Sequence, residues 1–555
     1  MVFGLYAAQA RMSWSWPLAL IAVVVVSARV YRKYRDARYR LWRLTAFCER
    51  AVQRVEGDWA VSGVSGEEFV QADHVYAQDL NVVGEGSLFE LLCIAKTSIG
   101  RQGLANYLLD ATAPEETLLR QEAVRELKDR VDLREKVATL GELESDESQW
   151  STFEDWLNSS AFRFAKPLPV VAGITASALL AAVISLIVIG PLLWSRIEPW
   201  LILLVLFHSV VGLVYREKVN RMHNLLRPVA AETPVLREGL RMLEEQEFQS
   251  VKLRHLVAQG RHASRSVREL EWLLLALNER HNPFFYAPSL LLLAGTQLCI
   301  AIEKWRNRHG ASLRLWLHAW AEFEALNALA AYAYENPGNT FPEFSNGPAC
   351  IEARGLGHPL LPHDACVLND VELNQESRFY VLSGSNMSGK STLLRAIGLN
   401  AVLAFAGAPV RAQALRLSSG LSVFASIAVV DSLLNGKSKF QAEVDRLRQT
   451  IEFALHNRPV LFLVDEIFSG TNSRDRRVAA EAIVRTLVGR GAIGVLSTHD
   501  LALTEIAATD GLHGLNVHMG SRDGIDPMDF DYRLKPGVTQ ESNALAIARM
   551  SGVPI

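Results

Sequence analysis

The longest uncharged stretch of the chain contains the apolar run from Leu168 to Trp194, and this run limits the possible folds more than any other feature. A second apolar run, Trp200 to Tyr215, follows after the short segment SRIEP. A helix of about 20 predominantly apolar residues is long enough to cross the hydrocarbon core of a bilayer. Two such runs joined by a short link predict a transmembrane hairpin.

A third apolar run, Trp14 to Ala28, lies near the N-terminus. Only Arg11 precedes it, whereas a basic segment follows it: Arg29, Arg32, Lys33, Arg35, Arg38, Arg40 and Arg43. Because basic residues concentrate on the cytoplasmic side of a membrane, the sequence predicts an external N-terminus and a cytoplasmic C-terminal domain at an inner or plasma membrane. We therefore expect about three helices to cross the bilayer. The alternative, that the first run is a buried helix, stays open.

A fourth apolar run, Phe284 to Trp305, is interrupted or bounded by Thr296, Gln297 and Glu303. Short apolar runs also form buried core helices, so both alternatives stay open for this run. The net charge of −3 does not decide about a nucleic-acid partner, because binding depends on a local basic face. The five cysteines have no metal-ligand spacing and are typical of reduced thiols in the cytoplasm.

The clearest domain boundary is the segment ENPGNTFPEFSNGP, residues 335–348, which concentrates Pro, Gly and Asn. Helical patterns dominate before it, whereas short β-rich runs alternate with helical ones after it, which predicts a parallel sheet covered by helices. We expect an α/β C-terminal P-loop domain and a mainly α-helical core that carries transmembrane helices. The expected parts are an anchor with its basic segment (1–43), a first core part (44–164), a hairpin (165–216), a second core part (217–345) and the α/β domain (346–555).

One motif in the α/β region carries chemistry. The stretch GSNMSGKS fits G-x-x-x-x-G-K-[ST], and it lies between a strand-like run and a helix-like run. Gly384 and Gly389 let backbone N–H groups surround phosphate oxygens, Lys390 supplies a positive charge, and the Ser391 hydroxyl can bind Mg²⁺. The sequence therefore predicts an ATP site built by Gly384, Ser385, Asn386, Met387, Ser388, Gly389, Lys390, Ser391 and Thr392.

An acidic pair follows a second buried strand, LFLVDE. We expect Asp465 to hold Mg²⁺ and Glu466 to polarise the attacking water. His499 ends a third strand, and ligands bind at the carboxyl ends of parallel strands. We favour a γ-phosphate sensor for His499; the alternative is a structural histidine.

Five motifs in this order resemble the ATPase domain of the MutS mismatch-repair family: SGSNMSGKST, GAPVRAQALRL, NGKSKFQAEVDRL, LFLVDEIFSGTNSRDR and LSTHD. The resemblance covers about 200 residues, Cys350 to Pro554, whereas such a phosphate loop alone is common to many P-loop proteins. A second stretch, Ser87 to Leu127, resembles the start of the family's helical core, and WAEFEALNALAAYAYENP resembles its last helix.

The resemblance implies that two ATPase domains pair head to tail in a homodimer and that ATP with Mg²⁺ controls the pairing. It also implies that Ser438 reaches the γ-phosphate bound by the other subunit, that Gln413 is the Q-loop residue, and that Asn472 and Ser473 face the partner. DNA is the ligand that the family implies. Since an anchor occupies the N-terminal end, we expect no mismatch-reading domain there, and we expect no C-terminal dimerisation helices after Ile555.

Two functions remain open, and a third is weaker. The first is a membrane-anchored ATPase that switches a dimer bound to mismatched, branched or damaged DNA. The alternative is an ATP-driven membrane protein that acts on a protein partner or the bilayer, without DNA. An ABC exporter is weakest, because three spans are few for a translocation path. The basic segment from Lys252 to Arg268 could contact DNA or lipid, or it could be a solvated helix face.

Overall fold

The computed structural model describes residues 15–71, 74–110, 112–140, 151–165, 167–189, 194–280, 289, 292–385, 387–427, 439–455, 459–468, 472–521 and 529–539. The first part of the described chain is helical. Its α-helices are α1 (Ser15–Glu56), α2 (Leu88–Leu92), α3 (Ser98–Leu109), α4 (Pro114–Lys128), α5 (Val131–Ala138), α6 (Ser151–Asn158), α7 (Leu168–Ile189), α8 (Trp194–Glu244), α9 (Val251–Gln259), α10 (Ala263–Glu279) and α11 (Ala294–Glu335).

Strands alternate with helices after α11. The strands are β1 (Glu343–Ser345), β2 (Ile351–Leu356), β3 (Asn369–Leu373), β4 (Phe379–Gly384), β5 (Ala414–Ser418), β6 (Ser422–Ser426), β7 (Val460–Asp465), β8 (Ile493–Thr498), β9 (Gly514–Met519) and β10 (Lys535–Pro536). The helices among them are α12 (Lys390–Ala406), α13 (Lys439–Leu455) and α14 (Ser473–Gly489). The expected α/β C-terminal region and helical first part are therefore confirmed.

The larger sheet has the strand order β10-β9-β4-β8-β7-β6. All of its pairs are parallel except β10 with β9. All six residues of β4 are buried, as expected for a central parallel strand with both faces covered. A smaller sheet, β1-β5-β2-β3, lies beside it. The parallel arrangement brings the ends of β4, β7 and β8 to one edge, and this edge carries the predicted nucleotide residues.

The helical part packs most closely between α3 and α11. A Cβ added to Gly103 would lie 2.5 Å from the Ala321 carbonyl oxygen, so the two backbones approach directly. The Thr97 side chain caps α3 by accepting from the Gly100 N–H, a contact that contributes about 1 kcal/mol in typical proteins. Trp320 and Phe323 of α11 are almost fully buried, and the Trp320 ring lies against Gly239 of α8, where an added Cβ would be 2.5 Å from it. The core therefore continues from the helical part into the α/β part.

The apolar hairpin residues fall in α7 and α8. Among the described residues, one helix, Glu198–Glu244, is long and apolar enough to cross a membrane, and only 6% of its most apolar stretch is buried. Residues Leu168–Ala182 form a shorter apolar helix. This finding rests on length and composition, so the predicted count of three spans stays a prediction.

Helix boundaries differ from the expected link. The segment SRIEP, residues 195–199, lies inside α8 rather than between two helices, and residues 190–193 fall outside the described part. Pro199 lies inside α8, as do Pro228 and Pro234, and each proline removes one backbone hydrogen bond of the helix. The described residues of the first apolar run lie in α1, where Ile21 and Val23 are exposed.

The structure describes only part of the fourth apolar run, Phe284 to Trp305. Residues 284–288, 290 and 291 lie outside the described part, and the portion from Ala294 onward begins α11. There Cys299, Ile302 and Trp305 are buried against other helices. Burial inside protein favours the core-helix alternative for this described portion.

Candidate functional site

The phosphate loop connects β4 to α12. Gly384 ends the strand, where an added Cβ would lie 2.6 Å from the Met519 carbonyl oxygen. Gly389 immediately precedes α12 with φ of 98°, a left-handed conformation that favours glycine. Met387 is also left-handed, with φ of 70°. The loop therefore turns sharply and leaves the N-terminus of α12, with its unpaired N–H groups, at the edge of the sheet.

The Lys390 ammonium is held against the loop itself. Its Nζ donates to the carbonyl oxygens of Gly384 and Ser385, each at 2.9 Å, and the side chain is buried. Burial lowers the pKa of Lys390, while the nearby carboxylates of Asp465 and Glu466 act in the opposite direction. The loop thus holds one cation next to two acidic side chains.

Two hydroxyls converge on Asp465 at the end of β7. Ser391 Oγ donates to Asp465 Oδ2, and Ser497 Oγ donates to Asp465 Oδ1. The second contact follows from register, because Asp465 lies directly opposite Ser497 in the parallel pair β7 and β8. Carboxylate and hydroxyl oxygens are hard donors of the kind Mg²⁺ prefers, so Ser391 and Asp465 fit this ion.

Glu466 lies on a left-handed backbone, with φ of 52°. Its N–H donates to the Ser497 carbonyl oxygen at 3.1 Å. Its Oε1 lies 3.1 Å from His499 Nδ1, and both side chains remain partly exposed. A neutral His499 can donate from Nδ1 only if Nε2 is the acceptor. The turn after β7 therefore aims one carboxylate at the solvent-accessible side of the site and pairs it with an imidazole.

The remaining predicted residues fall into three groups. Asn386 and Ser438 lie outside the described residues, so their roles stay predictions. Gln413 lies beside β2, where its N–H donates to the Arg354 carbonyl oxygen at 2.9 Å. Asn472 caps α14 by accepting from the Asp475 N–H at 2.8 Å. The exposed Ser473 begins that helix.

A cavity of about 180 Å³ opens beside the phosphate loop. Gly389 and Thr392 form the side next to the loop, and His358, Met519 and Tyr532 form other walls. Burial lowers the pKa of His358 to about 4, and two nearby arginines contribute, so its ring is neutral at pH 7. The His358 Nδ1 accepts from the Leu360 N–H at 3.3 Å, which leaves Nε2 as the N–H group.

Sequence reasoning missed Ser497, His358 and Tyr532. Ser497 could have been found, because it precedes Thr498 and His499 on a strand whose end faces Asp465. His358 and Tyr532 are separated from the loop by long stretches of chain, and no local pattern distinguishes them. Only the tertiary fold brings these two side chains to Gly389.

A strand, a glycine loop with a buried lysine, and an acidic strand end beside it define the fold class of P-loop nucleotide-binding domains. Comparison with known families matches residues 380–555 to MutS domain V. The DNA mismatch repair protein MutS of Lactobacillus delbrueckii subsp. bulgaricus is 31% identical over 240 residues, which are 42% of this chain and 28% of that protein. The MutS protein of Lactobacillus johnsonii is 29% identical over 240 residues, with the same coverage.

The MutS protein of Lactobacillus gasseri is 30% identical over 237 residues, 41% of this chain and 27% of its own length. The C-terminal part of the chain, residues 380–555, therefore matches MutS domain V, and the identity to these relatives is modest. The match spans less than a third of these relatives' length. The predicted family resemblance is confirmed.

Proposed function

We propose that this chain is a membrane-anchored ATPase that binds and hydrolyses ATP with Mg²⁺ and uses the nucleotide state to switch a DNA-binding homodimer. The observation that carries the proposal is the convergence of Ser391 and Ser497 on Asp465, next to the paired Glu466 and His499. Hydroxyl, carboxylate and lysine groups of this kind are the parts that phosphoryl transfer requires.

Each described residue has a separate task in the proposed reaction. The N-terminus of α12 and Lys390 bind the phosphates, and Ser391 with Asp465 holds Mg²⁺, which neutralises phosphate charge when bound. Glu466 orients and polarises the attacking water. His499 donates from Nδ1 to the Glu466 carboxylate, and its Nε2 donates to the γ-phosphate in the imidazolium form, in which both ring nitrogens carry a hydrogen. The cavity beside Gly389 accepts the nucleoside.

The DNA part of the proposal rests on the match to MutS domain V. The matched relatives are named DNA mismatch repair proteins, and the same domain type in this chain supports a DNA-linked role. Head-to-tail pairing of two copies would place Ser438 of each at the other's nucleotide. Nucleotide state would then set the pairing and be transmitted through the helical part.

A second function is favoured by one specific observation. The apolar stretch of the helix Glu198–Glu244 is almost entirely exposed, whereas Val229, Leu236 and Leu240 farther along the same helix are buried in the core. An ATPase domain in the same chain as such a helix could act on the bilayer or on a membrane protein partner without any DNA.

The decisive experiment measures ATP hydrolysis by the full chain in detergent, with homoduplex, mismatched or branched DNA and without DNA. We expect one DNA form to stimulate hydrolysis, and we expect Glu466→Ala to abolish the stimulated activity. Glu505→Gln is the matched control, because Glu505 is an exposed carboxylate paired with Arg477. Hydrolysis that is indifferent to every DNA, together with no DNA binding at low salt, would eliminate the DNA switch and leave the second function.

A further inference from the structure

A buried aspartate from the helical part enters the nucleotide domain. Asp79 is 1% exposed and lies in residues 75–80, which we call the strap. Its Oδ1 accepts from the Ile427 N–H at 2.7 Å, and its Oδ2 forms an ion pair with Arg446 of α13. Since a buried carboxylate is costly without such partners, these contacts fix where the strap meets the domain.

The strap also contacts the helix that begins at the phosphate loop. Arg395 Nε donates to the Asp79 carbonyl oxygen at 3.0 Å. Leu80 is fully buried against Gly398, where an added Cβ would lie 2.6 Å from the leucine methyl groups. One short segment therefore touches both α12, which carries Lys390, and α13.

A second connection leads from α13 to the catalytic turn. Glu443 lies one turn before Arg446, so both project from the same region of the helix. The Glu443 carboxylate accepts from the Phe468 N–H at 2.8 Å. Phe468 is left-handed, as is Glu466 two residues earlier. The Asp79 ion pair therefore holds the helix that supports the backbone of the proposed catalytic glutamate.

The residues that follow the strap in the chain connect it to the helical part. The backbone carbonyls of Asn81 and Val82 accept from Leu88 and Phe89 at the start of α2. Beyond α2, Thr97 donates to Glu324 of α11, and Ser98 Oγ donates to Glu232 of α8 at 2.6 Å. The contacts are continuous from the phosphate loop helix to α8, the helix with the apolar stretch.

We propose that Asp79 is a positioning residue that couples the nucleotide site to α3 and α8 by holding the strap between α12 and α13. The inference rests on the proposed ATPase function, because it needs a nucleotide-dependent change at the site. A coupling path needs an element that both sites bias, and the strap is a segment of the helical part that contacts both α12 and α13. The hydrogen bonds of Asp79 described above go to Ile427, Arg446 and Arg395, which lie outside the phosphate loop, so we expect its effect on nucleotide affinity to be small.

The test compares hydrogen exchange of the full chain in detergent with and without a non-hydrolysable ATP analogue and Mg²⁺. In the unmodified chain we expect the analogue to change the protection of amides in α3 and in residues 216–244 of α8. In Asp79→Asn we expect analogue affinity within about threefold of the unmodified chain, kcat at least tenfold lower, and no protection change in these helices.

Two further variants keep the result interpretable. Asp79→Asn combined with Arg446→Gln removes both charges of the ion pair and should fold, yet it should lose the protection change as completely as the single variant. Glu505→Gln removes an exposed pair of the same domain and should behave as the unmodified chain. An unmodified chain that binds no nucleotide would overturn the proposed function and this inference together. Normal protection changes in both Asp79 variants would overturn this inference alone.

Discussion

Glu466 and Glu324 are both glutamates held by hydrogen bonds, but their surroundings differ. Glu466 is about one-third exposed, at 34%, and faces a histidine across the cleft. Glu324 is 1% exposed and is enclosed by the residues that lead into α3, where the Lys96 N–H donates to it at 2.8 Å and Thr97 donates through its hydroxyl. The accessible carboxylate can meet a substrate, whereas the enclosed one can act only on the packing of helices.

The difference also determines which property responds to pH. Burial raises the pKa of Glu324 to about 7, although its hydrogen bonds with Thr97 and Lys96 oppose the shift and the neighbouring Glu232 adds to it. Its protonation therefore changes near neutral pH between packed helices. The comparison is therefore testable. A change at Glu466 should alter ATP hydrolysis but not stability, whereas a change at Glu324 should alter stability but not ATP hydrolysis.

The largest effect is expected at the exposed carboxylate. Glu466→Gln keeps the shape of the side chain but removes the charge that polarises water, so kcat for ATP hydrolysis should fall by about 10²–10³. Affinity for ATP and the melting temperature should stay close to those of the unmodified chain, as measured by nucleotide titration and thermal unfolding. A variant with normal kcat would remove Glu466 from the chemistry and break the comparison.

At the enclosed carboxylate we expect a stability effect that depends on pH. The native pKa of about 7 lies above the ordinary value of 4.5, so the native state binds the proton more tightly than the unfolded state. The associated stability is present below pH 4.5 and is lost as the pH rises to 7, by up to about 3 kcal/mol. Glu324→Gln removes this loss.

Thermal unfolding of both proteins from pH 5 to pH 8 checks this expectation. Glu324→Gln should melt a few degrees above the unmodified chain at pH 8, and the two should approach each other at pH 5. A difference that does not vary with pH would mean that another group titrates in this range. ATP hydrolysis at a fixed pH should change little, which separates Glu324 from Glu466.

The same comparison explains what sequence reasoning could find. The residues from Gly384 to Ser391 are neighbours in the chain, and Asp465 follows a recognisable buried strand, so their spacing predicted the local geometry. Glu324 meets Thr97 across 227 positions, and Asp79 meets Arg446 across 367. No periodicity records such pairs, because they depend on how whole elements pack. The long helices were predictable from apolar spacing, whereas their partners were not.

A smaller effect is expected at the hydroxyl that donates to Asp465. Ser391→Ala removes one oxygen from the proposed Mg²⁺ site but leaves Lys390 and the helix N-terminus to bind phosphate. We expect the Mg²⁺ concentration for half-maximal hydrolysis to rise by about tenfold, with a smaller change in metal-free nucleotide affinity. Thr486→Ala, at an exposed hydroxyl of α14 that donates to the Ala482 carbonyl oxygen, serves as the control. An unchanged Mg²⁺ requirement would contradict the assignment of Ser391 to the metal.

The basic segment 252–268 contains one buried cation and several exposed ones. The smallest effect on stability is expected at its exposed arginines. Lys252 is buried and pairs with Glu116 and Glu322 at 2.6 Å each, so it stabilises the helical part. Arg261 and Arg265 are exposed. Removing exposed charges changes stability by less than about 1 kcal/mol, so their removal reports on a ligand alone.

We expect the double variant Arg261→Gln with Arg265→Gln to melt within about 1 °C of the unmodified chain. If these residues contact phosphates of DNA, the slope of log Kobs against log salt should become less negative by about 2. Filter binding with homoduplex and branched DNA, at salt concentrations from about 50 to about 200 mM, measures that slope. An unchanged slope would assign the pair to a solvated helix face. Lys252→Met should instead lower the melting temperature, because it leaves two glutamates without their buried cation.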